Sequence, residues 1–574
     1  MRIRKIEIRN FRSILSLDWV PSAGINCLIG PGDSGKSSIL DAIDLCLSAR
    51  RNVSIDDTDF FNLDVTQPIS ISLTLGALPD GLKNIDIYGD YLRAFDAATG
   101  LVEEEPCQGL EIVILFNLTI ASDLEPVWSL VSQRAQQQGI ERSIAWKDRV
   151  NIAPARLGNY ANSNLSWSRG SVLNRLSEER VNLGAELARA AREARVNFGN
   201  QAGVQLAQAL RTVTETANSL GVSVGASAKA LLDAHSVSIG DGAIALHNES
   251  GVPLRSLGTG SARLLIAGLQ RAASDSASIL LIDELEYGLE PHRLTRLLGS
   301  LGAKENEPPL QVFMTTHSPV AVRELNGNQV FVVRATTGGH QVRQVGIADD
   351  VQSTIRLDPE AFLAKTVIVC EGASEVGFVR GMDDYWIAQG YSSLLASGVA
   401  YVNVGGGDPD RCFVRGSSFL ALGYRVIVLV DSDKLPTQAI VDAFVVSGGA
   451  SIAWRPSRAL EDELFMSLEN AAIDLLIQRA IDYVEENVVD DHIKTQSQGQ
   501  STLNSVRFER DVNGYSVATR ELLGRASRIR KNGWFKSVTK FEEISRNIVG
   551  PYLGTADPGF QELVNNIFRW AHAA

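Results

Sequence analysis

Apolar and charged residues alternate through MRIRKIEIRNFRS at the start of the chain, the two-residue period of a strand with one covered face. Other segments are apolar without alternation. INCLI (Ile25–Ile29), the ILLI of SASILLIDELE, the apolar start of VFMTTHSP, TVIVC (Thr366–Cys370) and VIVLV (426–430) are short runs that end in polar or charged residues. Such runs read as strands buried on both faces. After INCLI the spacing changes: Ile39, Leu40, Ile43, Cys46 and Leu47 fall on one side of a helix. Residues 172–232, rich in Ala, Leu, Arg and Glu and without proline, predict two or three helices. Strands alternating with helices predict an α/β architecture.

The polar residues at the ends of these strands carry the chemistry. INCLI runs into GPGDSGKS, a G-x-x-x-x-G-K-S loop in the strand–loop–helix context that a phosphate cradle requires. Amides around Gly30, Gly32, Ser34, Gly35 and Ser38 would face phosphate oxygens, Lys36 would reach the outer phosphates, and Ser37 would ligate Mg²⁺. SASILLIDELE ends in Asp283 and Glu284, suited to hold Mg²⁺ and to polarise an attacking water. RSLGTGSARLL, with Ser256, Gly258 and Gly260, resembles the S-x-G-x-G/Q signature of ABC-type ATPases, and His317 comes after its strand where those enzymes place the γ-phosphate histidine. Four elements in this order predict an ATP-binding ATPase. In ABC-type ATPases one protomer's signature completes the other's nucleotide site, so the resemblance implies a homodimer or a higher homo-oligomer. Gln67 is a candidate for the glutamine loop, and the stretch 288–290 for the D-loop.

A second constellation lies further on. TVIVC delivers Glu371 and, four residues later, Glu375, and VIVLV delivers Asp431 and Asp433. In extended chain, positions i and i+2 share a side, so Asp431 and Asp433 can face one cation. Carboxylate oxygens favour Mg²⁺ or Mn²⁺ over zinc. Either acidic pair alone would read as a solvated strand end; together they favour a metal site. Asp408, in the glycine-rich VGGGDPD, is as well explained as a loop acid.

At 574 residues the chain needs two or three cores. Its five scattered cysteines, without C-x-x-C, suggest neither disulfides nor zinc. No apolar run approaches the about 18 residues of a membrane span, and the N-terminus lacks a signal-type apolar core, so no membrane association and a cytoplasmic location are expected. The net charge of −13 excludes coating of nucleic acid through bulk charge. It leaves room for a local surface: RASRIRKNGWFKSVTK (525–540) carries basic residues and no acid, with Trp534 and Phe535 inside it.

E-G-x-x-E followed by D-x-D is the pattern of the Toprim domain, and an SMC- or RecF-like ABC ATPase followed by Toprim resembles the OLD (overcoming lysogenization defect) nucleases over nearly the whole chain. The resemblance implies an ABC-type ATPase in two parts, 1–165 and 237–358, around a helical dimerisation insertion, 166–236, with a Toprim nuclease domain at 359–574. It makes Glu371 a metal ligand or acid–base group and Glu375, Asp431 and Asp433 ligands. ALEDELF (459–465) matches a further acidic element, which adds Glu461 and Glu463, and Lys536 matches a lysine that offsets charge at the scissile phosphate. The implied activity is ATP-controlled, two-metal cleavage of DNA in anti-phage defence, for some relatives beside a helicase. An alternative is an SMC- or RecF-like repair ATPase with a non-catalytic Toprim fold. A topoisomerase or primase fits less well, without a tyrosine-bearing winged-helix region or a zinc ribbon.

Overall fold

The computed structural model describes residues 1–49, 53–158, 164–166, 171–176, 184–219, 224–230, 244–273, 278–529 and 533–572. Three sheets organise them. The first is antiparallel, built from β1 (Arg2–Phe11), β2 (Ile14–Trp19), β4 (Ile69–Gly76), β5 (Leu92–Phe95), β6 (Val102–Glu103), β7 (Glu111–Ile120) and β8 (Pro126–Leu130). The opening alternation is its imprint, with one irregularity. Ile3 and Ile6 are three residues apart yet both buried, because the register against β4 shifts between Ile3 and Lys5.

The second sheet runs β13-β12-β3-β11-β10-β9, from β3 (Ile25–Ile29), β9 (Ala155–Leu157), β10 (Ile279–Ile282), β11 (Gln311–Thr315), β12 (Val330–Thr336) and β13 (Gly339–Gln344). All but the β12–β13 hairpin pair in parallel. Every residue of INCLI is buried because this sheet is covered on both faces. Leu28, Leu281 and Phe313 face the first sheet, whereas Cys27, Leu280 and Val312 face the other way.

The third sheet is wholly parallel, in the order β15-β14-β16-β17: β14 (Thr366–Cys370), β15 (Val399–Asn403), β16 (Arg425–Val430) and β17 (Ala450–Ala453). Val367 and Val369 of β14, with Val426 and Val428 of β16, join the same apolar cluster as Cys27 and Val312, so one continuous core spans the second and third sheets. The alternate residues, Ile368, Cys370, Ile427 and Leu429, pack under the C-terminal helices with Leu464, Trp534 and Phe541.

Within the stretch expected to be helical, the structure describes helices Val172–Leu176, Gly184–Gln205 and Ala207–Ser219; residues 177–183, 220–223 and 231–232 lie outside the described residues. Among the described residues no helix is long and apolar enough to cross a membrane.

Candidate active sites

The first cleft opens beyond the carboxyl ends of β3 and β11, where parallel sheets present their functional loops. It has a volume of about 450 Å³, and its walls include residues 32–38, Glu284, Thr315 and His317. Gly30 fits only as glycine: its φ is +148°, and a Cβ there would sit 2.5 Å from the Val333 carbonyl oxygen. Lys36 Nζ folds back into the cradle, donating to the carbonyls of Gly30 (3.1 Å) and Pro31 (2.7 Å) and to Ser34 Oγ (3.3 Å). Burial lowers its pKa, partly offset by Asp33 and Asp283.

Ser37 Oγ donates to Asp283 Oδ1 at 3.0 Å, and Thr315 Oγ1 donates to the same oxygen at 2.6 Å. Hydroxyl and carboxylate oxygens brought together in this way suit Mg²⁺. Glu284 has φ +48°, a left-handed conformation costing a non-glycine residue about 1 kcal/mol or more. Two contacts hold it there. Its N–H donates to Thr315 Oγ1 (2.9 Å), and the buried Arg263 donates to the carbonyls of Glu284 (3.2 Å) and Tyr287 (2.9 Å). Glu286 grips the histidine loop, accepting from the Thr316 hydroxyl (2.6 Å) and the His317 N–H (2.8 Å).

Ser256, Gly258 and Gly260 lie away from this cleft, at the turn Leu254–Ser256 and the start of helix Thr259–Ala272. A Cβ on Gly260 would stand 2.5 Å from the Gly288 carbonyl oxygen, so helix Thr259–Ala272 and the turn at Gly288 touch backbone to backbone. Gln67 is not in the cleft; its carbonyl accepts from Asn10 Nδ2. Arg12, Ser13 and Thr315 also line the cleft, although sequence reasoning assigns them no role there. Arg12 and Ser13 belong to the NFRS segment, which only the fold carries to the phosphate loop.

The second cleft, about 810 Å³, opens at the carboxyl edge of the third sheet. Glu371, Glu375, Asp431, Asp433 and Glu461 line it, facing Gln496, Arg525, Arg528 and Lys536. Parallel pairing of Cys370 with Leu429 sets the two strand ends side by side, and the Asp431 N–H donates to Glu371 Oε2 at 3.1 Å. Glu375, in the first turn of helix Ala373–Ala388, accepts from the Gly372 N–H at 2.8 Å. Asp431 Oδ1 accepts from the Leu460 N–H at 3.0 Å, which docks helix Leu460–Ser467 and brings in Glu461. Asp433 Oδ2 lies 2.7 Å from Arg528 Nη1.

These carboxyls are crowded and poorly compensated. Burial, then neighbouring carboxylates, raises the Glu375 pKa to about 8 and holds that of Asp431 well above the usual range. Burial likewise raises Glu371 and Glu461. Among the described residues Glu371, Glu375, Asp431 and Glu461 have no ion pair. Among the described residues no group of three or more Asp, Glu, His or Cys stands at metal-holding distance. The donor types here, oxygens alone and crowded at one strand edge, are those a hard divalent cation takes.

Glu463 is not brought to this cleft. It is fully buried between Arg455 and Arg458 (3.0 Å to the latter) on the other side of its helix. Asp408 is a loop acid that accepts from the Asp410 N–H at 3.1 Å. Lys536 follows the buried Trp534 and Phe535; Trp534 Nε1 donates to His492 Nδ1 at 3.2 Å. Residues 530–532 of the basic run lie outside the described residues.

Residues 1–150 match a family model described as "AAA ATPase domain", and residues 148–323 one described as "AAA domain, putative AbiEii toxin, Type IV TA system". The chain thus carries an ATPase of the AAA/ABC type. It is 31% identical over 118 residues to the DNA replication and repair protein RecF of Prosthecochloris aestuarii, covering 19% of this chain and 31% of that protein. It is 33% identical over 75 residues to an OLD nuclease of Thermus scotoductus, covering 12% and 14%. The chain spans about a third of the length of the RecF relatives it matches. An SMC head bound to the C-terminal winged-helix domain of ScpA aligns over 60% of this chain and 97% of that one, at 16% identity and a TM-score of 0.35, too low to support a conclusion.

Proposed function

We propose that this chain is a DNA endonuclease that uses divalent metal in a Toprim-type domain, residues 359–574, and is governed by its ATPase. The observation that carries the reading is the pairing of five carboxylates with Arg525, Arg528 and Lys536 across one cleft. Acids on one wall and bases on the other suit a phosphodiester, whose charge the bases offset while the acids hold Mg²⁺ or Mn²⁺.

Glu371, Glu375, Asp431, Asp433 and Glu461 would hold the metal, which when bound supplies Lewis acidity toward the phosphodiester. Lys536 and the two arginines orient the strand and offset the charge that builds on the scissile phosphate. In the alternative role, with the metal held by the other four carboxylates, Glu371, whose carboxyl burial makes easier to protonate, is suited to take up a proton at the oxygen not engaged by the Asp431 N–H. At the other cleft Lys36 and Ser37 seat the nucleotide phosphates, and Glu284 orients water. The signature at 256–260 lies outside its own chain's nucleotide cleft, which supports completion by a second copy, with the helices of 166–236 as the pairing element. A cytoplasmic role in anti-phage defence belongs to this reading, as does a helicase partner.

The likeness to RecF favours a second reading, a repair ATPase that holds DNA without cutting it. Nicking of supercoiled plasmid separates the two. On the first reading, purified protein nicks in Mn²⁺ or Mg²⁺, and the Asp431→Ala/Asp433→Ala variant does not. Absence of nicking by the wild type across both metals, with and without ATP, would sink it.

A further inference from the structure

One half-buried cation touches both the strand beside the phosphate loop and the roots of the acid-bearing strands. Arg334 lies on β12, directly after Val333, whose carbonyl oxygen packs against the first glycine of the phosphate loop. Its guanidinium stacks over the Tyr424 ring, 4.1 Å from the centroid, and Nη2 donates to the Ala364 carbonyl at 3.2 Å. Those two contacts fall at the roots of the two acid-bearing strands. Ala364 stands two residues before β14, which ends at the residue before Glu371; Tyr424 immediately precedes β16, which ends at the residue before Asp431. Tyr424 ties the roots together, its hydroxyl donating to the Phe362 carbonyl at 2.6 Å. The strands start in register, Thr366 against Arg425, so both feel the same strut.

Among the described residues Arg334 has no carboxylate partner, and its Nε is buried without an acceptor. A half-buried guanidinium served only by a tyrosine and a carbonyl, with its Nε enclosed and unpartnered, is under-compensated. Lys36, folded into the cradle of the phosphate loop, is close enough to repel it. The phosphates of a bound nucleotide would supply the missing negative charge to both cations.

We propose that Arg334 is the positioning residue through which nucleotide at the phosphate loop stiffens the roots of β14 and β16 and so sets the acidic cleft. This rests on the reading of that cleft as a nucleotide-governed site. An anion at the loop strengthens the hold on Arg334, and the stacked, forked guanidinium transmits that hold to Tyr424 and Ala364. Both strands then present Glu371 and Asp431 from a firmer base.

Hydrogen exchange on the full chain tests this, with Mg²⁺ and a non-hydrolysable ATP analogue as probe. In the wild type the analogue should slow exchange of the amides in 366–371 and 425–431 by about five-fold or more, the lower end of usual coupling. Arg334→Met should bind the analogue within about three-fold of wild type, less than 1 kcal/mol, yet show no slowing in those segments. Arg334→Lys, which keeps the charge and loses the fork and the stack, should also lose it; it serves if the methionine variant does not fold. Slowing retained in either variant, or no slowing in nucleotide-bound wild type, overturns the proposal. Plasmid nicking reads a separate property: linkage in a protein that never nicks would leave the coupling standing and the nuclease reading fallen.

Discussion

Arg528 and Asp433 face each other across the acidic cleft at 2.7 Å, and the same guanidinium reaches Asp462 at 3.3 Å. Any cation that takes Asp433 competes with Arg528. Replacing Arg528 by glutamine should therefore tighten Mn²⁺ binding, by up to about five-fold for a part-exposed pair worth about 1 kcal/mol or less. The same change should weaken binding of duplex DNA in chelator. Titration of Mn²⁺ by electron paramagnetic resonance reads the first effect; unchanged affinity would mean that Asp433 takes no metal.

Gly260 admits no side chain. A methyl there meets the Gly288 carbonyl at 2.5 Å and must push helix Thr259–Ala272 off the turn at Gly288. Gly260→Ala should cost about 1–3 kcal/mol of stability in that region and abolish ATP turnover. Thermal melting with an ATPase assay reads both; a variant with wild-type turnover would show that the two backbones can part without consequence.

Glu286 sets the histidine loop through Thr316 and His317 and does not itself line the first cleft. Glu286→Ala should lower kcat for ATP by about ten-fold or more through misplacement alone, while nucleotide affinity stays near wild type. Glu286→Gln, which keeps one accepting oxygen, should recover part of the loss. Equal losses in affinity and kcat would instead mark collapse of the whole cleft.

Glu375 supplies a pH signature. Its folded pKa is raised, to about 8 from 4.5, by burial and then by Glu461. The folded state therefore holds the proton more tightly, and this contribution to stability is complete below pH 4.5 and lost as pH rises through about 8. In chelator the melting temperature should fall across that window, and Glu375→Gln should flatten the fall. Mn²⁺ should also flatten it, by compensating the ionised cluster. A wild-type profile that rises across the window would contradict this.

The parts of the site that sequence made legible are local. Gly30 to Ser37 announce themselves because strand, loop and helix are consecutive, and Asp431 and Asp433 because apolar runs end in acids. Glu463 shows where local reading stops. Glu461, Asp462 and Glu463 are consecutive on the first turn of a helix, each turned about 100° from the last, and only the packing decides their partners. Glu461 enters the cleft, Asp462 meets Arg528, and Glu463 is held by two arginines. Arg528 belongs to the basic run 525–540 that sequence marks as a surface, but which acid it meets is decided only by packing. Arg12 is carried to its site by chain folded far from it in sequence, and an isolated basic residue carries no periodicity.

The continuous core beneath the second and third sheets has a thermodynamic consequence. Cys27 and Val312 share their apolar neighbourhood with Val367 and Val428, so the two sheets are buried against one core and are not set to melt separately. Nucleotide bound at one end, at about a hundred times its dissociation constant, lends about 2.7 kcal/mol to whatever unfolds with it. Here that includes the strands that lead into Glu371 and Asp431, and heat should unmake both clefts in a single calorimetric peak.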